Sequence, residues 1–98
     1  MKTLTEAELE DVLRAQPDWK LQEGKLVRDW TFPDFVHAMA FVNQVADLAE
    51  AAGHHPDIDV RYNRVRLGLV SHDAGGITNR DGAMARRIDS ELSTSQAK

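Results

Sequence analysis

The chain has 98 residues, 42% hydrophobic and 29% charged, the balance of an ordinary globular protein and enough for one small domain over residues 1–98. Its 12 basic and 16 acidic residues give a formal net charge of −4, so it lacks the basic footprint that attracts nucleic acid or an anionic membrane. The absence of cysteine excludes a disulfide framework and a thiolate metal site, and no apolar run spans a bilayer or resembles a secretory signal, so the expected setting is the cytoplasm.

Thr5 and Glu8 stand at capping-box spacing, which predicts a first helix from Glu6 to about Ala15 with Ala7, Val12 and Ala15 among charged residues. Pro17-Asp18 interrupts it. Trp19 to Leu21 reads as a brief strand, Glu23-Gly24 as a turn and Lys25 to Phe32 as a second strand, giving a first hairpin. Pro33 suits the first position of a helix and Asp34 its positively polarised first turn, so a long helix is expected to run from here to Ala52. Phe35, Ala38, Met39, Val42, Val45, Ala46 and Ala49 fall on one face of it at the 3.6-residue period, while His37, Asn43, Gln44 and Asp47 point away. Gly53 is its natural stop.

Ile58 to Tyr62 and Val65 to Ser71 predict a second hairpin that folds about Asn63, or about Asn63-Arg64 as a two-residue turn. A last helix is expected from Thr78, which forms a Thr-x-x-Asp capping box with Asp81 and carries Met84, Ile88 and Leu92 on its apolar face. Residues 93–98 read as a frayed tail, leaving a core of about 3–92. The order α-β-β-α-β-β-α predicts an α+β domain: a four-stranded antiparallel sheet with three helices on one face. Its open edges invite pairing between copies, so a homo-oligomer, dimer or tetramer, is expected.

His54-His55 precede one strand of the second hairpin, and His72 follows the other. With Asn63 as the pivot His54 faces His72; with a turn at Asn63-Arg64 His55 does so instead. Either register clusters imidazoles, which with an ordinary pKa of about 6.5 can give or take protons at neutral pH. The residues alone allow plainer readings. The three histidines could form a hydrogen-bonded structural cluster, Asp81 could serve only as a capping acid, and Glu50 could be a solvated residue at a helix end. Tyr62 reads as a core or interface residue, Arg80 as a surface or interface residue, His37 as a residue with no role, and Trp19 and Trp30 as core anchors. Zinc held by His54, His55 and His72 with Glu50 or Asp81 is disfavoured, because adjacent histidines diverge on extended backbone.

Glu50-x-x-x-His54-His55-Pro56, followed by Tyr62, His72 and Asp81, resembles the pterin-4a-carbinolamine dehydratases in order and in every spacing. The likeness extends through Phe32-x-Asp34-Phe35, Tyr62-Asn63-Arg64-Val65 and Arg80-Asp81, over roughly residues 3 to 92. It implies an enzyme that eliminates water from 4a-hydroxytetrahydropterin to give quinonoid dihydropterin, in recycling of the cofactor used by aromatic amino acid hydroxylases. No metal or organic cofactor of its own is implied. By the same resemblance His54 and His72 form a general acid/base pair, His55 chiefly binds and orients the pterin, Glu50 and Asp81 orient histidines or accept hydrogen bonds from the pterin, and Pro56 fixes the loop. Many relatives carry tryptophan two residues after the proline; Ile58 here removes an aromatic face from the expected pocket. The implied partners are the pterin, further copies of the chain and a hydroxylase of the same pathway. Some relatives act as dimerisation partners of a transcription factor or assist assembly without turnover, which makes a non-catalytic binding module the alternative.

Overall fold

In the computed structural model, which describes residues 2–92, each helix begins at a side chain that satisfies its free N–H groups. Helix α1 (Glu6–Ala15) starts at Thr5, whose hydroxyl accepts from the Glu8 N–H while the Glu8 carboxylate accepts from the Thr5 N–H. Helix α2 (Phe35–Ala52) starts at Asp34, which accepts from the His37 N–H at 2.9 Å, and stops at Gly53 in the left-handed conformation, φ 65°. Helix α3 (Asn79–Glu91) starts at Thr78, closed by the expected box with Asp81. Each such cap is worth about 1 kcal/mol. Asp34 is thus the cap rather than a first-turn acid, and Pro33 lies before the helix. Its capping carboxylate also contacts the His37 ring at 2.6 Å, which gives His37 a local structural partner.

Strands β1 (Lys20–Gln22), β2 (Lys25–Thr31), β3 (Asp57–Arg61) and β4 (Arg64–Leu69) form one antiparallel sheet in the order β1-β2-β4-β3. The fold is therefore α+β, with three helices and a four-stranded sheet in the expected order. β2 and β4 are central, and β1 and β3 are edges. The first hairpin turns at Glu23-Gly24, both at positive φ, as the twist of a two-residue hairpin requires.

The second hairpin corrects an expectation. Arg61 pairs with Arg64, so the turn is Tyr62-Asn63 rather than Asn63 alone or Asn63-Arg64. The Asn63 side-chain amide donates to the Phe32 carbonyl, and the Phe32 N–H donates to the Asn63 carbonyl, both at 2.8 Å. These bonds tie Asn63 to the end of β2 and leave Tyr62 as the first turn residue, at φ 55° and 69% exposed. Tyr62 is thus neither in a strand nor in the core. The ladder ends with Asp57 opposite Gly68. Continued outward, it would set His55 against Val70 and His54 against Ser71, so neither expected histidine pairing matches the register.

Alternate residues of the central strands, Leu26 and Trp30 of β2 and Val65, Leu67 and Leu69 of β4, are buried against α2 and α3. The Trp19 and Trp30 rings meet nearly edge to face at 5.9 Å, and Trp30 lies 4.7 Å from Phe41, so both tryptophans anchor the core. The buried stripe of α2 is Ala38, Phe41, Val45, Leu48 and Ala49. Phe41 stacks on Trp30 and Phe32 and turns the helix so that Phe35, expected inside, is about half exposed. Ala46, also expected inside, is exposed for the same reason. Helix α1 buries no residue fully; Leu9, Val12 and Leu13 pack against the rim of the core. On the far face of the sheet, charged side chains pair across strands, as Arg66 does with Asp29 at 2.7 Å. Among the described residues no helix is long and apolar enough to cross a membrane. The tail expected at 93–98 lies outside the described residues.

Candidate active site

The left-handed turn at Gly53 reverses the chain and lets the His54 N–H donate to the Ala49 carbonyl. Two adjacent histidines then leave the helix end in different directions. His54 turns inward, 8% exposed, and its Nε2–H donates to Asp81 Oδ1 at 2.6 Å. Asp81 is fully buried in the first turn of α3. Its Oδ2 accepts from the Thr78 N–H at 2.8 Å and from the Ser71 hydroxyl at 2.9 Å. Ser71 in turn accepts from the Thr78 hydroxyl at 2.8 Å. A carboxylate without such donors in this position would cost several kcal/mol, and the bonds to both oxygens offset that. Asp81 therefore caps α3 and orients His54 at once. With Nε2 donating to Asp81, the neutral ring keeps its lone pair on Nδ1.

His55 points to solvent, with Nε2 2.5 Å from Glu50 Oε2. Glu50 is thus both a solvated residue at the end of α2 and the partner of an imidazole. Pro56, half-buried, leads directly into β3. His72 opens a single 3₁₀ turn, His72–Ala74, beyond β4, and its side chain is 74% exposed. Its Nε2 lies 3.9 Å from Asp57 Oδ1. The other oxygen of Asp57 accepts from Lys25 Nζ at 2.7 Å, and this hydrogen bond holds the Asp57 carboxyl below the usual carboxylate range.

Because His72 reaches the carboxylate two residues after His55, all three histidines belong to the open end of the second hairpin. They do not face one another across the ladder; each meets a carboxylate of its own. A small cavity of about 140 Å³ beside His54 is lined by Ala52, His54, Arg80, Ala83, Met84 and Arg87, without His55 or His72. Arg80 is half-buried and bonds to Asp73, whose carboxyl it holds below the ordinary range. Ile58 lies on edge strand β3 and is partly exposed. Among the described residues no group of three or more His, Cys, Asp or Glu side chains could hold a metal ion. Asp57, beside His72, and Ser71, a donor to Asp81, are the site residues that sequence reasoning missed. Only the register, which sets Asp57 opposite Gly68, could have signalled the first.

Comparison with known proteins identifies the family. The family model for pterin 4 alpha carbinolamine dehydratase matches residues 2–91. A protein of Acidobacterium capsulatum, bearing that dehydratase name by assignment, is 58% identical over 92 residues, covering 94% of this chain and all of its own length. A Chloroflexus aurantiacus protein named in the same way is 56% identical over 89 residues, covering 91% of this chain and 96% of its own. The crystal structure of a transcriptional coactivator/pterin dehydratase from Brucella melitensis superposes with a TM-score of 0.86 at 36% identity, over 94% of this chain and all of that one. A pterin dehydratase-like protein identified as a RuBisCO assembly factor in the alpha-carboxysome superposes at 0.62 with 27% identity, over 74% of this chain and 86% of that one. With the family model matched over residues 2–91 and relatives more than half identical along nearly the whole chain, the chain belongs to the pterin-4-alpha-carbinolamine dehydratase family.

Proposed function

We propose that the chain is a hydro-lyase that removes water from 4a-hydroxytetrahydropterin to give quinonoid dihydropterin, with His54 and His72 exchanging the protons. The observation that carries this reading is that three histidines, each beside a carboxylate of its own, are carried at one end of a hairpin in a member of this family. The C4a–oxygen bond breaks as an imidazolium protonates the hydroxyl, and water leaves. The ring N–H gives its proton to a neutral imidazole, and its electron pair becomes the new C=N bond. His54 suits the base, because Asp81 takes its Nε2–H and stabilises the imidazolium formed when Nδ1 accepts a proton. His72 suits the acid, because its exposed ring regains a proton from water. His55, bonded to Glu50, binds and orients the pterin beside Pro56.

Stopped-flow absorbance with 4a-hydroxytetrahydropterin tests the reading directly: protein should accelerate dehydration, and equal rates with and without it would defeat the proposal. A second reading, a non-catalytic binding module, has support from the likeness to the Brucella transcriptional coactivator/pterin dehydratase and from the exposed apolar side chains Leu21, Phe35, Val36 and Tyr62. The open edges of β1 and β3 favour assembly of copies. Cytoplasmic cofactor recycling beside an aromatic amino acid hydroxylase is the setting this chemistry suggests.

A further inference from the structure

Gly68 opens a window in the sheet. It stands opposite Val27 of β2 on one side and Asp57 of β3 on the other. A Cβ built on it would touch Lys25 Cδ at 3.5 Å, Asp57 Cβ at 3.7 Å and Asp57 Oδ2 at 3.9 Å. These are ordinary contact distances, so the Lys25 side chain packs over Gly68 as it crosses β4, and its Nζ donates to Asp57 Oδ2 at 2.7 Å, joining two strands that are not neighbours. The remaining oxygen of Asp57 faces His72 Nε2 at 3.9 Å.

We propose that Asp57 is the positioning residue of His72, and that Lys25, reaching across Gly68, fixes Asp57 for that task. The inference rests on the reading above, in which His72 exchanges a proton with the pterin. An exposed imidazole at a strand end has many rotamers to choose from, and a fixed anion beside one ring nitrogen narrows the choice. The contact is at ion-pair distance, and a small rotation of the ring brings it to hydrogen-bond length. Lys25, bonded to its other oxygen, restricts how far Asp57 drifts with the ring. His54 has Asp81 and His55 has Glu50; Asp57 gives the third imidazole the same support.

The test measures dehydration by D57N, D57E and K25M, each alone and in an H72A background, with proton and nitrogen NMR of the His72 ring. D57N should lower kcat about 10-fold, the lower end of what loss of an imidazole's supporting carboxylate costs, with KM within about 2-fold of wild type. D57E should recover most of that rate, and K25M should lose less than D57N. In the H72A background neither D57N nor K25M should reduce the rate further. The His72 ring resonances should move in D57N and K25M while those of His54 stay. A wild-type rate in D57N, or an equal loss with and without His72, would overturn the inference. If H72A is impaired and D57N is not, this inference alone fails; if H72A matches wild type, the proton-exchange reading falls and takes the inference with it.

Discussion

In the proposed mechanism His54 and His72 would serve the two halves of one proton exchange, and their surroundings are opposite. His54 is buried on Asp81, which is itself fixed by Ser71 and by the N-terminus of α3. His72 stands in solvent, with one carboxylate at 3.9 Å. The contrast separates stability from activity. Around His54 the polar groups that orient the ring also hold α3 to the end of β4, so damage there spreads into the fold. Around His72 the contacts are solvent-screened and support little of the fold.

The sharpest way to break this contrast is D81A. It deletes the α3 capping acid and leaves the His54, Ser71 and Thr78 donors buried without their acceptor, so unfolding in urea should show a loss of about 3 kcal/mol or more. That is a large share of the stability of a domain of this size, typically about 5–15 kcal/mol. H72A comes next: stopped-flow dehydration should slow about 100-fold or more while Tm stays at the wild-type value. H54A should match it in rate but also lower Tm, and an unchanged Tm would erase the distinction between the two ends. S71A sharpens the buried side, since removing one donor from Asp81 should lower stability by about 1 kcal/mol in the same urea titration.

The smallest effect is in acid. Asp57 is held below its ordinary value of 3.8, first by the Lys25 hydrogen bond, and Asp29 is held down by Arg66. A carboxyl depressed in the folded state adds stability that is present above the unfolded pKa and lost as pH falls through the folded one. The urea midpoint should therefore hold above about pH 4 and decline below it, and K25M should soften that decline slightly because these pairs are exposed.

What the sequence revealed follows the reach of each interaction. Both threonine capping boxes are formed within four consecutive residues, and the helices start where Thr5 and Thr78 predict. The succession of helices and strands along the chain, the glycine stop at Gly53 and the two tryptophan anchors were equally readable from local pattern. The second turn was not, because Asn63 is placed by bonds to Phe32, 31 residues earlier in the chain. Phe41 and Leu48 escaped the expected helix face because the aromatic contact with Trp30 sets the rotation of α2. At the site, the motif named the histidines, Glu50 and Asp81, whereas the hairpin spacing set imidazole against imidazole, a pairing the register does not make. Asp57 stayed hidden because its partners lie on β2 and beyond β4, a meeting that the strand register sets.

The most direct measurement is single-turnover dehydration of 4a-hydroxytetrahydropterin by the double variant H54A/H72A beside each single variant. If the two imidazoles act as a unit, the double variant should run at the uncatalysed rate, with a loss well short of the product of the two single losses. A double variant that still dehydrates at the wild-type rate would contradict the account.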